Sequence, residues 1–248
     1  MESTSSIINT VRIDIVSRTE FVERIDAFVA GRQSNVVRFL PAHPTVIARA
    51  NPAYRDILNR GQLNIADGAS VVMALRLLGH RTERLPGSTA FELLCANGLE
   101  AGRRHYLYGG TSDVLERLRT VLEERHPGIR IVGSESPPFR PATAAELDDA
   151  GARIRASGAD HLWVGLGTPK QDIVAEHLRR RDAAPTIMCV GAAFDFLSGA
   201  KRRAPAWMQQ AGLEWLHRLG TEPRRLWKRY LIGNVSFAVG IARDLLRR

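Results

Sequence analysis

Residues Gly191–Arg203 read GAAFDFLSGAKRR, directly after the apolar run Thr186–Val190, TIMCV. The apolar run is short and bounded by turn residues, as a buried strand is. It hands over to glycine, to one carboxylate (Asp195) between two phenylalanines, and then to Lys201, Arg202 and Arg203. Upstream, strand-like and helix-like segments alternate. Downstream, the chain is basic, aromatic and helix-like to its end. A strand exit with glycines and one acid is where an α/β sheet holds a ligand, although a tight turn with a solvated Asp reads equally well.

The charge divides at the same place. Residues 201–248 hold eleven Lys or Arg against three Asp or Glu, a net +8, which leaves +1 for residues 1–200. We therefore read residues 1–200 as the core and 201–248 as a cationic tail suited to phosphates, nucleic acid or an anionic bilayer. Only three of the 35 basic residues are Lys, so clustering carries more meaning than any single Arg. Cys95 and Cys189 sit in apolar contexts and make neither a disulfide framework nor a zinc spacing. The first residues, MESTSSIINT, lack a signal-peptide pattern, and the run Leu231–Ala242 is too short for a membrane span. A cytoplasmic protein touching a membrane face is expected.

Along the chain, Val11–Val16 alternates as a strand. Ser17–Glu20, Thr89–Glu92 and Thr143–Glu146 each read as a capping box opening a helix. Asn35–Leu40 is a strand that runs into PAHPTV, where two prolines fix the backbone around His43. Asp67 falls between a short strand and the helix Ala69–Leu78. It reads first as that helix's N-cap, with a base at the strand's carboxyl end as the other reading. His105–Tyr108 is a strand followed by Gly109, Gly110 and a helix, a phosphate-binding geometry without the full Gly-x-Gly-x-x-Gly pattern. Leu162–Val164 leads to Gly165, Gly167, Pro169, Lys170 and Gln171. The glycines admit a ligand to the backbone, Pro169 suits a first helical position, and Lys170 and Gln171 hold a nucleotide or merely cap.

The alternation implies a Rossmann-like α/β core, with a mostly parallel sheet and helices on both faces, plus a basic helical appendage. Asp67, Gly109–Gly110, Gly165–Gln171 and Asp195 converge at strand carboxyl ends. In the tail, a helix begun at Pro223 puts Leu226, Tyr230, Phe237, Ile241 and Leu245 on one stripe, and Arg225 and Arg229 on another face.

The strings Gly167-x-Pro169-Lys170-Gln171, Gly191-x-Ala193-Phe194-Asp195-Phe196-x-x-Gly199, Arg203-Ala204-Pro205-x-Trp207-Met208-Gln209, Gly212-Leu213-Glu214-Trp215-x-x-Arg218-Leu219 and Glu222-Pro223-Arg224-Arg225 resemble the WecG/TagA/CpsF family of bacterial glycosyltransferases. Ala66-Asp67-Gly68 and Glu83-Arg84-Leu85-x-Gly87 match it as well. The resemblance implies transfer of a hexose, N-acetylhexosamine or uronic acid from a UDP-sugar to a polyprenyl-diphosphate-linked sugar. The reaction would invert the anomeric centre without metal or cofactor, at the inner membrane face, in cell-surface polysaccharide or teichoic-acid-type synthesis. It implies Asp67 as catalytic base, Arg84 as a second catalytic residue, and Gln171 and Asp195 in the donor pocket. It also implies a tail that closes over the site on the membrane, with Arg218 and Arg225 for the diphosphate and Lys228 where relatives carry Arg. His43, Gly109, Gly110, Gly167 and Lys170 complete the expected substrate contacts.

Two departures stand out. Pro41 and His43 occupy the place of the family's Thr-x-Asn, and Thr89 stands where many members carry Asp. Metal-dependent sugar transferases use an Asp-x-Asp pair; this chain has none, and Asp148-Asp149 reads as helix surface. An oxidoreductase with a Rossmann dinucleotide site is the first competing class, but the glycine fingerprint and its distant acid are missing. A basic module binding a membrane or nucleic acid without catalysis is the other. Trp, Met and Leu at helical spacing in the tail favour a bilayer over nucleic acid, which is not expected as a partner. A homo-oligomer is compatible with the sequence.

Overall fold

The computed structural model describes residues 5–246, with the side chains of Gln210, Arg225 and Arg229 outside that description. Eight strands form one sheet: β1 Ser5–Ile8, β2 Val11–Asp14, β3 Asn35–Leu40, β4 Leu63–Ala66, β5 Arg104–Gly109, β6 Arg130–Glu135, β7 His161–Gly165 and β8 Thr186–Cys189. The helices are α1 Arg18–Gly31, α2 Ala42–Ala50, α3 Pro52–Asn59, α4 Ala69–Leu77, α5 Gly87–Asn97, α6 Ser112–Arg125, α7 Ala144–Ser157, α8 Lys170–Arg179 and α9 Ala193–Leu197, then α10 Ala206–Gln210, α11 Glu214–Thr221 and α12 Pro223–Leu246 in the tail.

The strand order is β1-β2-β4-β3-β8-β7-β5-β6. Every pairing is parallel except β1 with β2. The first four strands make one half and the last four the other. They meet at β3 and β8, where Asn35 pairs with Thr186 and Arg38 with Cys189. This is the expected Rossmann-like α/β architecture, and the seam is where such sheets open a crevice at their carboxyl edge.

Alternation along the strands explains helices on both faces. On β8, Met188 joins Val37, Phe39, Phe91, Trp163 and Phe194 on one side. Ile187 and Cys189 join Val36, Leu162, Val164 and Ile154 on the other. A third apolar cluster, with Ile8, Val11, Ile13, Tyr54 and Leu75, receives Phe237 and Ile241 from the tail helix α12. Of the expected α12 stripe, Leu226, Phe237 and Ile241 are buried, Tyr230 is half-buried and Leu245 is exposed.

Arg38 interrupts the apolar pattern of β3 in full burial. Its Nε lies 3.2 Å from Asp172 Oδ1, and the Tyr54 hydroxyl donates to Asp172 Oδ2 at 2.7 Å. The dry ion pair ties β3 to the first turn of α8. Removing one partner of such a pair costs about 3–5 kcal/mol, because the other charge stays buried alone.

Several local readings are corrected. β1 was not anticipated; it joins β2 through Asn9 and Thr10, both at positive φ, a two-residue turn made without the glycine that usually marks it. α2, which begins within PAHPTV, was not anticipated either; its first turn tolerates Pro44. Only Thr143–Glu146 closes a full capping box. Ser17 accepts from the Glu20 N–H, but the Glu20 carboxylate is taken by Arg24 at 2.6 Å. Thr89 caps nothing: α5 already starts at Gly87 behind Pro86, and Glu92 bonds instead to Arg125 and His126.

Candidate active site

A cleft of about 1540 Å³ lies over the carboxyl ends of the strands, between the core and the tail. Asp67 leaves β4 into it. Its N–H donates to the Leu40 carbonyl at 3.2 Å, continuing the β3–β4 ladder by one residue. The N-cap of α4 is Gly68, with no side-chain bond, so the capping reading of Asp67 is overturned. Gly68 is held there by close approach to Pro41, where a Cβ would meet the Pro41 Cα at 3.0 Å. The Asp67 carboxyl thus turns into the cleft without a capping duty. Loss of water around it pushes its pKa up to about 6; Arg84 opposes the rise, Glu214 adds to it, and Arg203 and Arg218 oppose it.

Arg84 stands on the loop before α5. Leu85 N–H donates to the Ala66 carbonyl at 3.2 Å, which holds that loop against the end of β4. Arg84 Nε donates to the Asp67 carbonyl at 2.5 Å, Nη1 to the Gln209 carbonyl at 3.4 Å, and Nη2 to the Glu214 carboxylate. Both Nη contacts come from the tail.

Across the seam, Gly165 has no room for a side chain, since a Cβ would fall 2.6 Å from the Phe194 ring. Gly167 takes φ +74°, and Pro169 follows a cis peptide bond in the N-cap position of α8, one residue earlier than expected. Gln171 is buried beneath Gly191, and its Oε1 has no hydrogen-bond partner among the described residues. A buried acceptor left unpaired is uncommon in a folded chain and sets Gln171 apart from the polar groups around it. Lys170 is committed elsewhere: Nζ donates to the carbonyls of Pro138 at 3.3 Å and Arg140 at 2.9 Å, fastening that loop over the cleft.

His43 lies in the first turn of α2 and lines the cleft, as do Gly110, Gly167, Lys170, Gln171, Asp195 and Arg218. Asp195 pairs with Lys201 at 3.1 Å, and Lys201 reaches Glu222 at 3.3 Å. The Arg218 guanidinium sits 5.7 Å from the centre of the Phe196 ring. Gly109 is set apart from these: at φ +127°, a Cβ there would meet the Gly165 carbonyl at 2.6 Å, so it serves the close approach of β5 and β7. Lys228 is exposed on α12 beside Trp227 and is not among the described residues that line the cleft. The Arg225 side chain lies outside the described residues.

Sequence reasoning named none of Arg203, Gln209, Glu214 or Glu222 as a site residue. A signal was present. The tail has three acidic residues in a basic segment, and two tie it inward, Glu214 to Arg84 and Asp244 to the Asn9 N–H at 2.9 Å, while Glu222 meets Lys201 within the tail.

A carboxyl tuned towards neutrality, flanking guanidiniums and a glycine-lined crevice suit transfer of an activated group to a hydroxyl. Residues 6–248 match the Glycosyl transferase WecG/TagA/CpsF family, and the chain belongs to this family of glycosyltransferases of cell-surface polysaccharide synthesis.

Proposed function

We propose that the protein transfers a sugar from a UDP-sugar to a sugar borne on a polyprenyl diphosphate, with inversion at the anomeric carbon. The observation that carries this reading is Asp67: a carboxyl at a strand's carboxyl end, free of capping, with a pKa of about 6. Asp67 takes the proton from the acceptor hydroxyl as its oxygen attacks the anomeric carbon. The bond to the UDP oxygen breaks, and the electron pair leaves with the diphosphate. Among the described residues no three His, Cys, Asp or Glu gather in a metal-binding arrangement. Arg84, with Arg218 nearby, is assigned the charge that develops on the leaving group. Gln171 and the Gly165–Gly167 turn are assigned to the donor.

The tail is assigned to the membrane surface. No described helix is long and apolar enough to cross a bilayer. The outer side of α12 exposes Trp227, Leu231, Ile232, Val235 and Val239 in a segment of net charge +8. Apolar exposure with positive charge fits an interfacial helix.

The test is a screen of UDP-sugars with a polyprenyl-diphosphate-linked sugar acceptor, read by mass spectrometry, for the native chain and Asp67→Asn. Turnover by the native chain and its loss in the variant, with UDP still bound, is expected. Near-native turnover by Asp67→Asn would remove Asp67 as the base.

A further inference from the structure

The neighbourhood of Asp67 already holds an anion of the protein's own. Glu214, the first residue of α11, sets its carboxylate between two guanidiniums. One oxygen meets Arg84 Nη2, and the other lies 3.5 Å from Arg203 Nε. Arg84 belongs to the core loop before α5, Arg203 to the segment between α9 and α10. Arg84 is pinned at Nε by the Asp67 carbonyl, and its two remaining nitrogens are both filled by the tail, from Glu214 and the Gln209 carbonyl. The three side chains line the cleft and keep 21 to 34% of their surface in water, so a ligand can reach them.

Two guanidiniums converging on one carboxylate form the fork geometry that also receives phosphate oxygens. A diphosphate brings more negative charge than a carboxylate and more oxygens to satisfy the vacated donors. Asp195 and Glu222 are already answered by Lys201.

We propose that Arg84 and Arg203 form a two-guanidinium site for a substrate diphosphate, and that Glu214 occupies this site until the diphosphate displaces it. This rests on the reading of the protein as a transferase of diphosphate-activated substrates. Arg203 thereby becomes a binding residue for the reaction. Displacement of Glu214 also removes one of the tail's ties to the core, so anion binding and tail position are linked. The shared chemistry is a diphosphate ester, supplied by either the nucleotide donor or the lipid acceptor.

The experiment is calorimetric binding of UDP, farnesyl diphosphate and inorganic pyrophosphate to the full-length native chain. The same titrations use Arg203→Ala, Arg203→Lys, Glu214→Gln, and the double variant Arg203→Ala with Glu214→Gln; thermal melts verify folding. Arg203→Ala should weaken at least one ligand about tenfold, the scale of one charge-assisted contact, and Arg203→Lys should weaken it less. Glu214→Gln should tighten the same ligand about three- to tenfold, and the double variant should lose most of that gain. A response to UDP places the site on the donor side, and a response to farnesyl diphosphate on the acceptor side. Unchanged affinity for all three ligands in Arg203→Ala overturns the proposal, as does an equal gain from Glu214→Gln with and without Arg203. If the native chain binds neither organic diphosphate while pyrophosphate shows the expected pattern, the anion site stands and the proposed function falls.

Discussion

Arg84 Nε lies 2.5 Å from the backbone carbonyl of Asp67, so the cation that acts most strongly on the candidate base is fastened to its main chain. No ion pair to the Asp67 carboxylate occurs among the described residues. A direct pair would hold the carboxyl low and make it a poor base; an offset guanidinium only tempers the rise that burial imposes.

The first prediction follows from that balance. The base must be ionised, so kcat/KM should climb as pH rises through about 6 and level off above it. Arg84 is the strongest influence holding the pKa down. Arg84→Met should therefore move the midpoint upward, in addition to lowering the plateau. A pH–rate profile of both proteins checks this; a midpoint that stays fixed in Arg84→Met would show that Arg84 does not act on the base.

Asp67 should also cost the fold stability. Its folded pKa, about 6, stands above the ordinary value of 3.8. The stabilisation from the neutral acid is then complete below 3.8 and is lost as pH rises through 6. At pH 7.5 the charged carboxylate disfavours the folded state by up to about 3 kcal/mol, less in proportion to its contact with water. Asp67→Asn should abolish transfer yet raise unfolding free energy by about 1–3 kcal/mol at pH 7.5, with little change at pH 4. Urea titrations at the two pH values measure it, and a variant less stable at pH 7.5 contradicts it.

Much of this arrangement was readable in the chain. Apolar runs ending in glycine placed β5, β7 and β8, because a buried strand admits little else. The three bulky apolar positions of α12 that pack inward, Leu226, Phe237 and Ile241, followed from helical spacing. What escaped depended on tertiary partners. Whether Thr89 caps a helix turns on where α5 begins, and it begins two residues earlier, at Gly87 behind Pro86. Whether Asp67 caps α4 depends on Gly68 seating against Pro41. Lys170 was placed at the cleft by its turn, but its bonds to the loop carbonyls of Pro138 and Arg140 were not readable from the sequence. Arg38, buried mid-strand, has its answer in Asp172 and Tyr54, which no local pattern links to it.

Gly109 separates a structural glycine from a ligand-binding one. Alanine at φ +127° is strained, and its Cβ would strike the Gly165 backbone at 2.6 Å. Backbone cannot step aside as a flexible side chain can. Gly109→Ala should cost about 2–5 kcal/mol by strain and overpacking together. The reference is Gly128→Ala, where φ is +91° but nothing stands within 4 Å, so only the strain of about 1–3 kcal/mol remains. Equal losses in the two variants would rule out the backbone clash.

The last prediction concerns two histidines that the proposed chemistry leaves unused. His105 and His161 lie buried at the amino ends of β5 and β7, with ring centres 5.2 Å apart. Trp163 Nε1 donates to His105 Nδ1 at 3.1 Å, which requires that nitrogen to be unprotonated, and His161 Nδ1 lies 2.7 Å from the Thr186 hydroxyl. Burial lowers the His105 pKa to about 4 and that of His161 to about 3; His126 adds to the first, His105 adds to the second, and Asp160 opposes both. Unfolded, both titrate near 6.5. Stability is thus unaffected by them above 6.5 and falls below it, because the unfolded chain takes up two protons that the folded one refuses. The slope approaches about 2.7 kcal/mol per pH unit for the pair. Asp67 works in the opposite sense between 6 and 3.8, and burial raises the Asp172 pKa in that same sense. His105 is therefore read by difference: His105→Gln should lessen the fall in unfolding free energy between pH 7 and pH 5 by about 2 kcal/mol relative to the native chain. Urea unfolding of both proteins followed by circular dichroism reads that difference; an equal pH dependence in the two would show that His105 protonates freely in the folded protein.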